Sequence, residues 1–191
     1  MNFGFDLDDT LTDTAPVINK YAIKFDIEYL KGTGNLKVLG NSKDYYYFAE
    51  ALGWNSDEIK RFFDVYYINI IKEVKIKPLV SDTIKKLKNR GDKVYIITAR
   101  RKRETDIIEN ITRNWLLDNK IEYDELFINI KEKSSLVNEL KIDCFIDDSY
   151  SNCMDVKKKT NADVFFMQTD YNKNINNIKE FKVIKSISEI L

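Results

Sequence analysis

Asp6 and Asp8 stand two residues apart at the end of an apolar stub, Asn2-Phe3-Gly4-Phe5, with Asp9 and Thr10 directly behind them. Two carboxylates so close ionise together only at a cost, unless a cation lies between them or one of them holds a proton. A metal site with one nucleophilic and one proton-carrying carboxylate meets both demands. The stub itself reads as a short buried strand, and in an open α/β sheet ligands sit at the carboxyl ends of the strands.

Three further polar signals follow in order, each at or beyond the end of an apolar run. Thr98 closes Val94-Tyr95-Ile96-Ile97, Lys133 follows Leu126-Phe127-Ile128, and Asp147-Asp148 follow Cys144-Phe145-Ile146. Strands of a parallel sheet end on one edge, so the four groups are expected to converge in one crevice. Asp6 can attack phosphorus as a carboxylate nucleophile, giving an aspartyl-phosphate. Asp8 can protonate the leaving oxygen and then deprotonate water. The Thr98 hydroxyl and backbone N–H groups near Asp9 and Ala99 can hold phosphate oxygens, and Lys133 adds a point charge. Asp147 and Asp148 supply the hard anionic oxygens that Mg²⁺ takes alongside water and substrate phosphate.

The composition narrows the alternatives. The chain has no histidine, which removes His-based triads, His general bases and His-ligated zinc. Lys plus Arg equal Asp plus Glu at 31 each, arguing against a nucleic-acid footprint over the whole surface. No run of 18 apolar residues and no signal-peptide pattern is evident, and the two cysteines, Cys144 and Cys153, do not make a disulfide framework. A cytoplasmic protein without a membrane partner, monomeric or dimeric, is the expectation.

The elements that must position these groups fall into two styles. Residues 14–30, 43–52 and 56–74 have helical spacing, with Thr14, Pro16 and Ser56 as start signals and Gly53 as a stop. Beyond Pro78 helix and strand alternate. Helices are expected from Ser81 to Gly91 and over 104–118, 134–140 and 150–159; short apolar strands fall at 94–98, 126–128, 144–146 and 164–166, and a further helix follows Ser186. The polar stretch Tyr171 to Lys179 reads as surface. The βαβα rhythm predicts an α/β fold, a Rossmann-like three-layer parallel sheet. Its core takes residues 1–13 and 76–191, and 14–75 is an inserted helical cap.

This ordered set resembles the haloacid dehalogenase-like (HAD) phosphohydrolase superfamily. Its Asp-x-Asp-x-Thr signature matches Asp6-Leu7-Asp8-Asp9-Thr10, and its strand-closing threonine, helix-opening lysine and paired acids match Thr98, Lys133 and Asp147-Asp148. The resemblance implies Asp6 as nucleophile and Asp8 as acid/base. It implies Mg²⁺ on Asp6, the Asp8 backbone carbonyl and Asp148, with Asp147 as second choice. Within the superfamily the chain resembles the cytosolic type-C 5′-(deoxy)nucleotidases through Ile97-Thr98-Ala99-Arg100, Phe145-Ile146-Asp147-Asp148-Ser149 and Asp13, departing from them at Asp9-Thr10, where many carry Gly-Val. That implies a nucleoside monophosphate substrate, with a small sugar or organic phosphate as the alternative.

Two features read either way. Tyr45-Tyr46-Tyr47, with Phe48 and Trp54, either stack a nucleobase or pack the cap, and Arg100-Arg101-Lys102-Arg103 either steer an anion or are a solvated helix start. Other classes remain to be weighed: a phospho-receiver module, or a silent phospho-ligand binder. The helical insertion speaks against the first and the proton-carrying Asp8 against the second.

Overall fold

The computed structural model describes residues 1–101, 106–176 and 178–191. Lys102 and Arg103 of the basic run, and the expected helix start at 104, lie outside them. Six parallel strands form the central sheet: β1 (Asn2–Phe5), β4 (Lys93–Thr98), β5 (Glu125–Ile128), β6 (Cys144–Asp147), β7 (Asp163–Met167) and β8 (Lys182–Ile184). Their spatial order is β5-β4-β1-β6-β7-β8. From β1 the chain winds outward on one side through β4 and β5, then returns beside β1 as β6 and winds out the other way. The strand order therefore reverses at β1 and β6, where an open α/β sheet leaves a crevice at its carboxyl edge.

Alternation along the strands explains the two faces. Phe3, Phe5, Val94 and Ile96 belong to one buried cluster, while Tyr95, Ile97, Phe145 and Val164 belong to another. Both faces are covered by helices, which is why these strands read as continuous apolar runs. Around the sheet lie α4 (Val80–Asn89), α5 (Ile107–Asp118), α6 (Lys133–Glu139) and α7 (Tyr150–Lys159). A 3₁₀ turn at Ile187–Ile190 stands where the last helix was expected.

Between β1 and β4 the chain makes an excursion through three helices, α1 (Ala15–Tyr29), α2 (Tyr47–Leu52) and α3 (Ser56–Glu73). Its entry and exit are tied by a two-stranded antiparallel pair, β2 (Thr12–Asp13) and β3 (Lys75–Ile76). Two-residue strands carry no periodic signal and were not expected. The α3 stripe does what its spacing predicts, since Phe62, Phe63, Tyr66, Tyr67, Ile70 and Ile71 are all buried. Phe25, Phe48, Trp54 and Phe62 pack together between the three helices in edge-to-face and tilted pairs, with centroid separations of 5.3–5.8 Å.

Three helix starts differ from expectation. Asn55, not Ser56, caps α3: its side chain accepts from the Asp57 and Glu58 N–H groups, and Glu58 answers to the Asn55 N–H in a capping box. The Thr14 hydroxyl does not cap α1; the Asp9 carboxylate accepts from the Thr14 and Ala15 N–H groups instead, at 2.9 and 2.8 Å. Ser81 lies inside α4 and donates to the Asn119 carbonyl at 2.7 Å. In each case a neighbour with a better approach to the free N–H groups, or a tertiary acceptor, outcompetes the local hydroxyl.

Candidate active site

β1 and β6 place the central carboxylates. In their register Phe5 lies opposite Ile146, and the Asp6 N–H continues the ladder to the Ile146 carbonyl at 2.9 Å. Asp6 therefore leaves the sheet beside Asp147, with Asp148 one residue further on. One oxygen from each of Asp6, Asp147 and Asp148 can be chosen so that all lie within 4.8 Å of one another. All three are buried.

Three buried carboxylates at this spacing demand compensation, and Lys133 provides part of it. At the first position of α6 its ammonium donates to Asp6 Oδ1 and, at 2.7 Å, to Asp147 Oδ2. Asp147 is further held by the Ser149 N–H at 2.8 Å and the Asn152 amide at 3.0 Å. Burial still pushes the Asp6 carboxyl well above the carboxylate range; Lys133 opposes this, and the like charges of Asp147, Asp148 and Asp8 add to it. Asp148 is raised to about 8, chiefly by burial and then by Asp147 and Asp9. A hard divalent cation fits this oxygen-only set, because it would relieve repulsion that one ammonium leaves standing.

Asp8 has a different environment. Its carboxylate faces Arg100, whose Nη2 donates to Oδ1 at 2.8 Å and whose Nε donates to Oδ2 at 2.9 Å. The Thr14 hydroxyl adds a third bond to Oδ1 at 3.1 Å. Burial pushes the Asp8 carboxyl up, but the Arg100 charge and these hydrogen bonds pull harder, so it lies below the usual range. Thr98, closing β4, accepts the Arg100 N–H at 3.2 Å, leaving its own hydroxyl proton to be donated elsewhere.

Asp6, Asp8, Thr98, Ala99, Lys133, Asp147 and Asp148 all line one cavity of about 240 Å³. Asp9 does not join them. Its side chain turns away to cap α1, its N–H donates to Thr12 Oγ1 at 3.2 Å, and its backbone sits at φ 58°. The far wall of the cavity comes from the helical excursion: Tyr45, Tyr46, Phe63 and Tyr67. Of the other aromatics singled out from sequence, Phe48 and Trp54 are packed in the excursion's core, and Trp54 donates to Asp26 at 2.9 Å.

Three contributors escaped the sequence reading. Arg100 stands in a basic run that reads as either steering an anion or a solvated helix start; it does neither, being 3% exposed and paired with Asp8. Tyr171 and Asn172 stood in a polar stretch assigned to the surface. Both are buried: Tyr171 donates to Asp148 Oδ2, and Asn172 Nδ2 to the Asp148 carbonyl at 2.8 Å. A buried tyrosine amid Asn and Lys is a local signal, but no periodicity marks it.

Comparison with known proteins bears on this constellation. The family model described as haloacid dehalogenase-like hydrolase matches residues 4–122, more than half of the chain. A curated protein of Clostridium acetobutylicum named a nucleotidase is 28% identical over 174 residues, covering 91% of this chain and 83% of its own. A solved structure from Haemophilus somnus, titled a predicted phosphoglycolate phosphatase, superposes with a TM-score of 0.65 at 19% identity, covering 98% of this chain and 95% of that one. Another, titled a predicted phosphatase from Clostridium acetobutylicum, gives a TM-score of 0.64 at 17% identity, covering 99% and 95%. At such identities the solved structures speak for the fold.

Proposed function

The chain belongs to the haloacid dehalogenase-like hydrolase family, and from that premise we propose that it is a Mg²⁺-dependent phosphomonoesterase working through an aspartyl-phosphate on Asp6, with nucleoside 5′-monophosphates as substrates. The observation that carries the reading is the meeting of Asp6, Lys133, Asp147 and Asp148 on the floor of a cavity that also holds Asp8 and Thr98.

In the first step an Asp6 carboxylate oxygen forms a bond to phosphorus while the ester P–O bond breaks. Asp8 gives the departing oxygen a proton. A phosphate dianion brought beside Asp8 raises its proton affinity by like-charge repulsion, against the pull of Arg100. Thr98, through its free hydroxyl proton, and the Ala99 N–H hold non-bridging oxygens, and Lys133 neutralises charge between Asp6 and the phosphoryl group. In the second step Asp8 takes a proton from water, the water oxygen bonds to phosphorus, and the P–O bond to Asp6 breaks, releasing phosphate. A Mg²⁺ ion on Asp6, Asp148, the Asp8 carbonyl and, as second choice, Asp147 would supply shielding of negative charge and stabilisation of the transition state.

For the substrate, support comes from the aromatic wall of Tyr45, Tyr46, Phe63 and Tyr67 facing the carboxylates, and from the name borne by the clostridial relative. Phosphate release from a panel of nucleoside monophosphates, sugar phosphates and phosphoglycolate tests it. A nucleotide is expected to show the highest kcat/KM, and Asp6→Asn to bring release to background. Higher kcat/KM for every sugar phosphate would refute the nucleotide assignment and leave the phosphatase standing. Turnover by Asp6→Asn would refute the aspartyl-phosphate on Asp6.

A further inference from the structure

Asp148 is held by donors that are not part of the reacting set. Thr10 Oγ1 donates to its Oδ1 at 3.0 Å, Tyr171 to its Oδ2, and Asn172 Nδ2 to its carbonyl at 2.8 Å. The Tyr171 hydroxyl also lies 3.1 Å from that carbonyl. Each carboxylate oxygen so held keeps a lone pair, and both the carboxyl rotation and the backbone beneath it are fixed.

The far side of Tyr171 leads elsewhere. Its ring lies flat on Tyr47, with centroids 4.9 Å apart and planes within 4°. Tyr47 opens α2, and its hydroxyl donates to Asn19 Oδ1 of α1 at 2.8 Å. The chain entering α2 is tied to the same loop: the Ser42 N–H donates to the Tyr171 carbonyl at 3.0 Å, the Asn174 N–H to the Gly40 carbonyl at 2.6 Å, and the Asn174 amide to the Leu39 carbonyl at 2.9 Å. Gly40 permits the approach, having φ +79° and room for no Cβ, which would meet Asn174 Nδ2 at 2.9 Å. One side chain thus joins the carboxylate of Asp148 to α2 directly and, through Tyr47, to α1, two of the three helices of the excursion.

We propose that Tyr171 is a positioning residue: its hydroxyl sets Asp148 for the divalent cation, and its stack on Tyr47 couples cation binding to the placement of the inserted helices. This rests on the reading above that Asp148 holds the cation. Partners that orient a metal ligand commonly change affinity by about 10–100-fold when removed. Coupling between two sites is reciprocal, so what the helices do to Asp148 the ion must do to the helices.

Calorimetric titration of the purified protein with Mg²⁺ tests both halves without any turnover. Tyr171→Phe keeps the ring and the stack but loses the donor, and its Kd for Mg²⁺ is expected to rise about 10–100-fold. Tyr47→Leu removes the stack together with the hydroxyl bond to Asn19 and is expected to raise Kd several-fold, whereas Tyr47→Phe loses only the hydroxyl and keeps wild-type affinity. In the wild type, Mg²⁺ is expected to slow tryptic cleavage at exposed Lys37, and in Tyr171→Phe this protection is lost. An unchanged Kd in Tyr171→Phe overturns the positioning role. A Tyr47→Leu variant that loses Tm with no change in Kd overturns the coupling. Asp148→Ala separates the two levels: if it binds Mg²⁺ as the wild type does, the cation site is elsewhere and the underlying reading fails; if it loses Mg²⁺ while the tyrosine variants do not, only the inference fails.

Discussion

Arg100 holds Asp8 through two near-parallel hydrogen bonds, Nη2 to Oδ1 at 2.8 Å and Nε to Oδ2 at 2.9 Å. The guanidinium is anchored in turn, with Nη1 donating to Thr112 Oγ1 at 3.1 Å on α5. Its own N–H reaches Thr98 Oγ1 and its carbonyl accepts from Asn129 N–H at 3.1 Å. One residue therefore fixes the rotamer of the proposed acid and the hydroxyl of a proposed phosphate ligand.

A fork of this kind cannot be reproduced by an ammonium, so Arg100→Lys is expected to leave Asp8 charged but loosely aimed. General acid catalysis contributes about 10²–10⁴-fold, and the substitution is expected to lose part of that, about 10–100-fold of kcat. The loss should be greatest for alkyl esters, whose leaving oxygen needs the proton, and least for an activated aryl phosphate. Because Arg100 acts through Asp8, adding Arg100→Lys to Asp8→Asn should cost little more than Asp8→Asn alone. Additive losses measured by steady-state kinetics would show that Arg100 contributes separately.

The start of α3 gives a prediction about stability alone. Asn55 accepts from two helix N–H groups and takes part in a capping box, while Ser56 is the first helical residue. Asn55→Ala is expected to destabilise the protein by about 1 kcal/mol, which lowers Tm by about 2–4 °C in a chain of this size. Ser56→Ala should leave Tm within about 1 °C, since surface changes away from caps are small. Thermal unfolding followed by circular dichroism distinguishes them.

What could be read from sequence divides along physical lines. The strands carrying Asp6, Thr98 and Asp147 are short runs buried on both faces, and such runs are visible as composition. Side chains at their ends must share an edge, so Asp6, Asp8, Thr98, Lys133, Asp147 and Asp148 could be brought together before any coordinates. Arg100 and Tyr171 could not. Their roles depend on partners 92 and 23 residues distant, Asp8 and Asp148, and their neighbours are charged or polar. Asp9 failed for the opposite reason: its place beside Asp8 suggested the cavity, whereas the left-handed turn at φ 58° sends its carboxylate to the start of α1.

The crowded carboxylates predict a linked dependence on pH and metal. Asp148 is raised to about 8 and Asp9 to about 7, both chiefly by burial; unfolded, each returns to the ordinary carboxylate range near 3.9. A group with a raised folded pKa binds its proton more tightly in the native state, so its stabilisation is full in acid and is lost as pH climbs. The metal-free protein is therefore expected to lose Tm as pH rises from about 5 through 8. Mg²⁺ binds the ionised form, so its benefit grows over that window. At about 100 times its Kd it adds about 2.7 kcal/mol, or about 5–10 °C. Scanning calorimetry with Mg²⁺ and with chelator should show the gap widening with pH in the wild type and largely closing in Asp148→Asn.

Tyr45 offers the sharpest test of the nucleotide reading. It lines the cavity with Phe63, the two rings lying within 17° of parallel and 6.5 Å apart between centroids. Phe63 is 4% exposed and Arg101 sits over its ring at 5.4 Å, so truncating it would disturb the helical wall. Tyr45 is only half-buried, and it reaches the cavity from the segment just before α2. A base on an aromatic face gains about 1–3 kcal/mol in nucleic-acid binding proteins, equivalent to about 5–150-fold in affinity at 1.4 kcal/mol per decade. Tyr45→Ala is thus expected to raise KM for nucleoside monophosphates by about tenfold and to leave KM for a small phosphate without a ring unchanged. Tyr45→Phe should behave as the wild type toward both, because stacking needs the ring and not the hydroxyl. If Tyr45→Ala raises KM equally for ringed and ringless substrates, the tyrosine shapes the cavity without reading a base, and the case for a nucleotide loses its structural support.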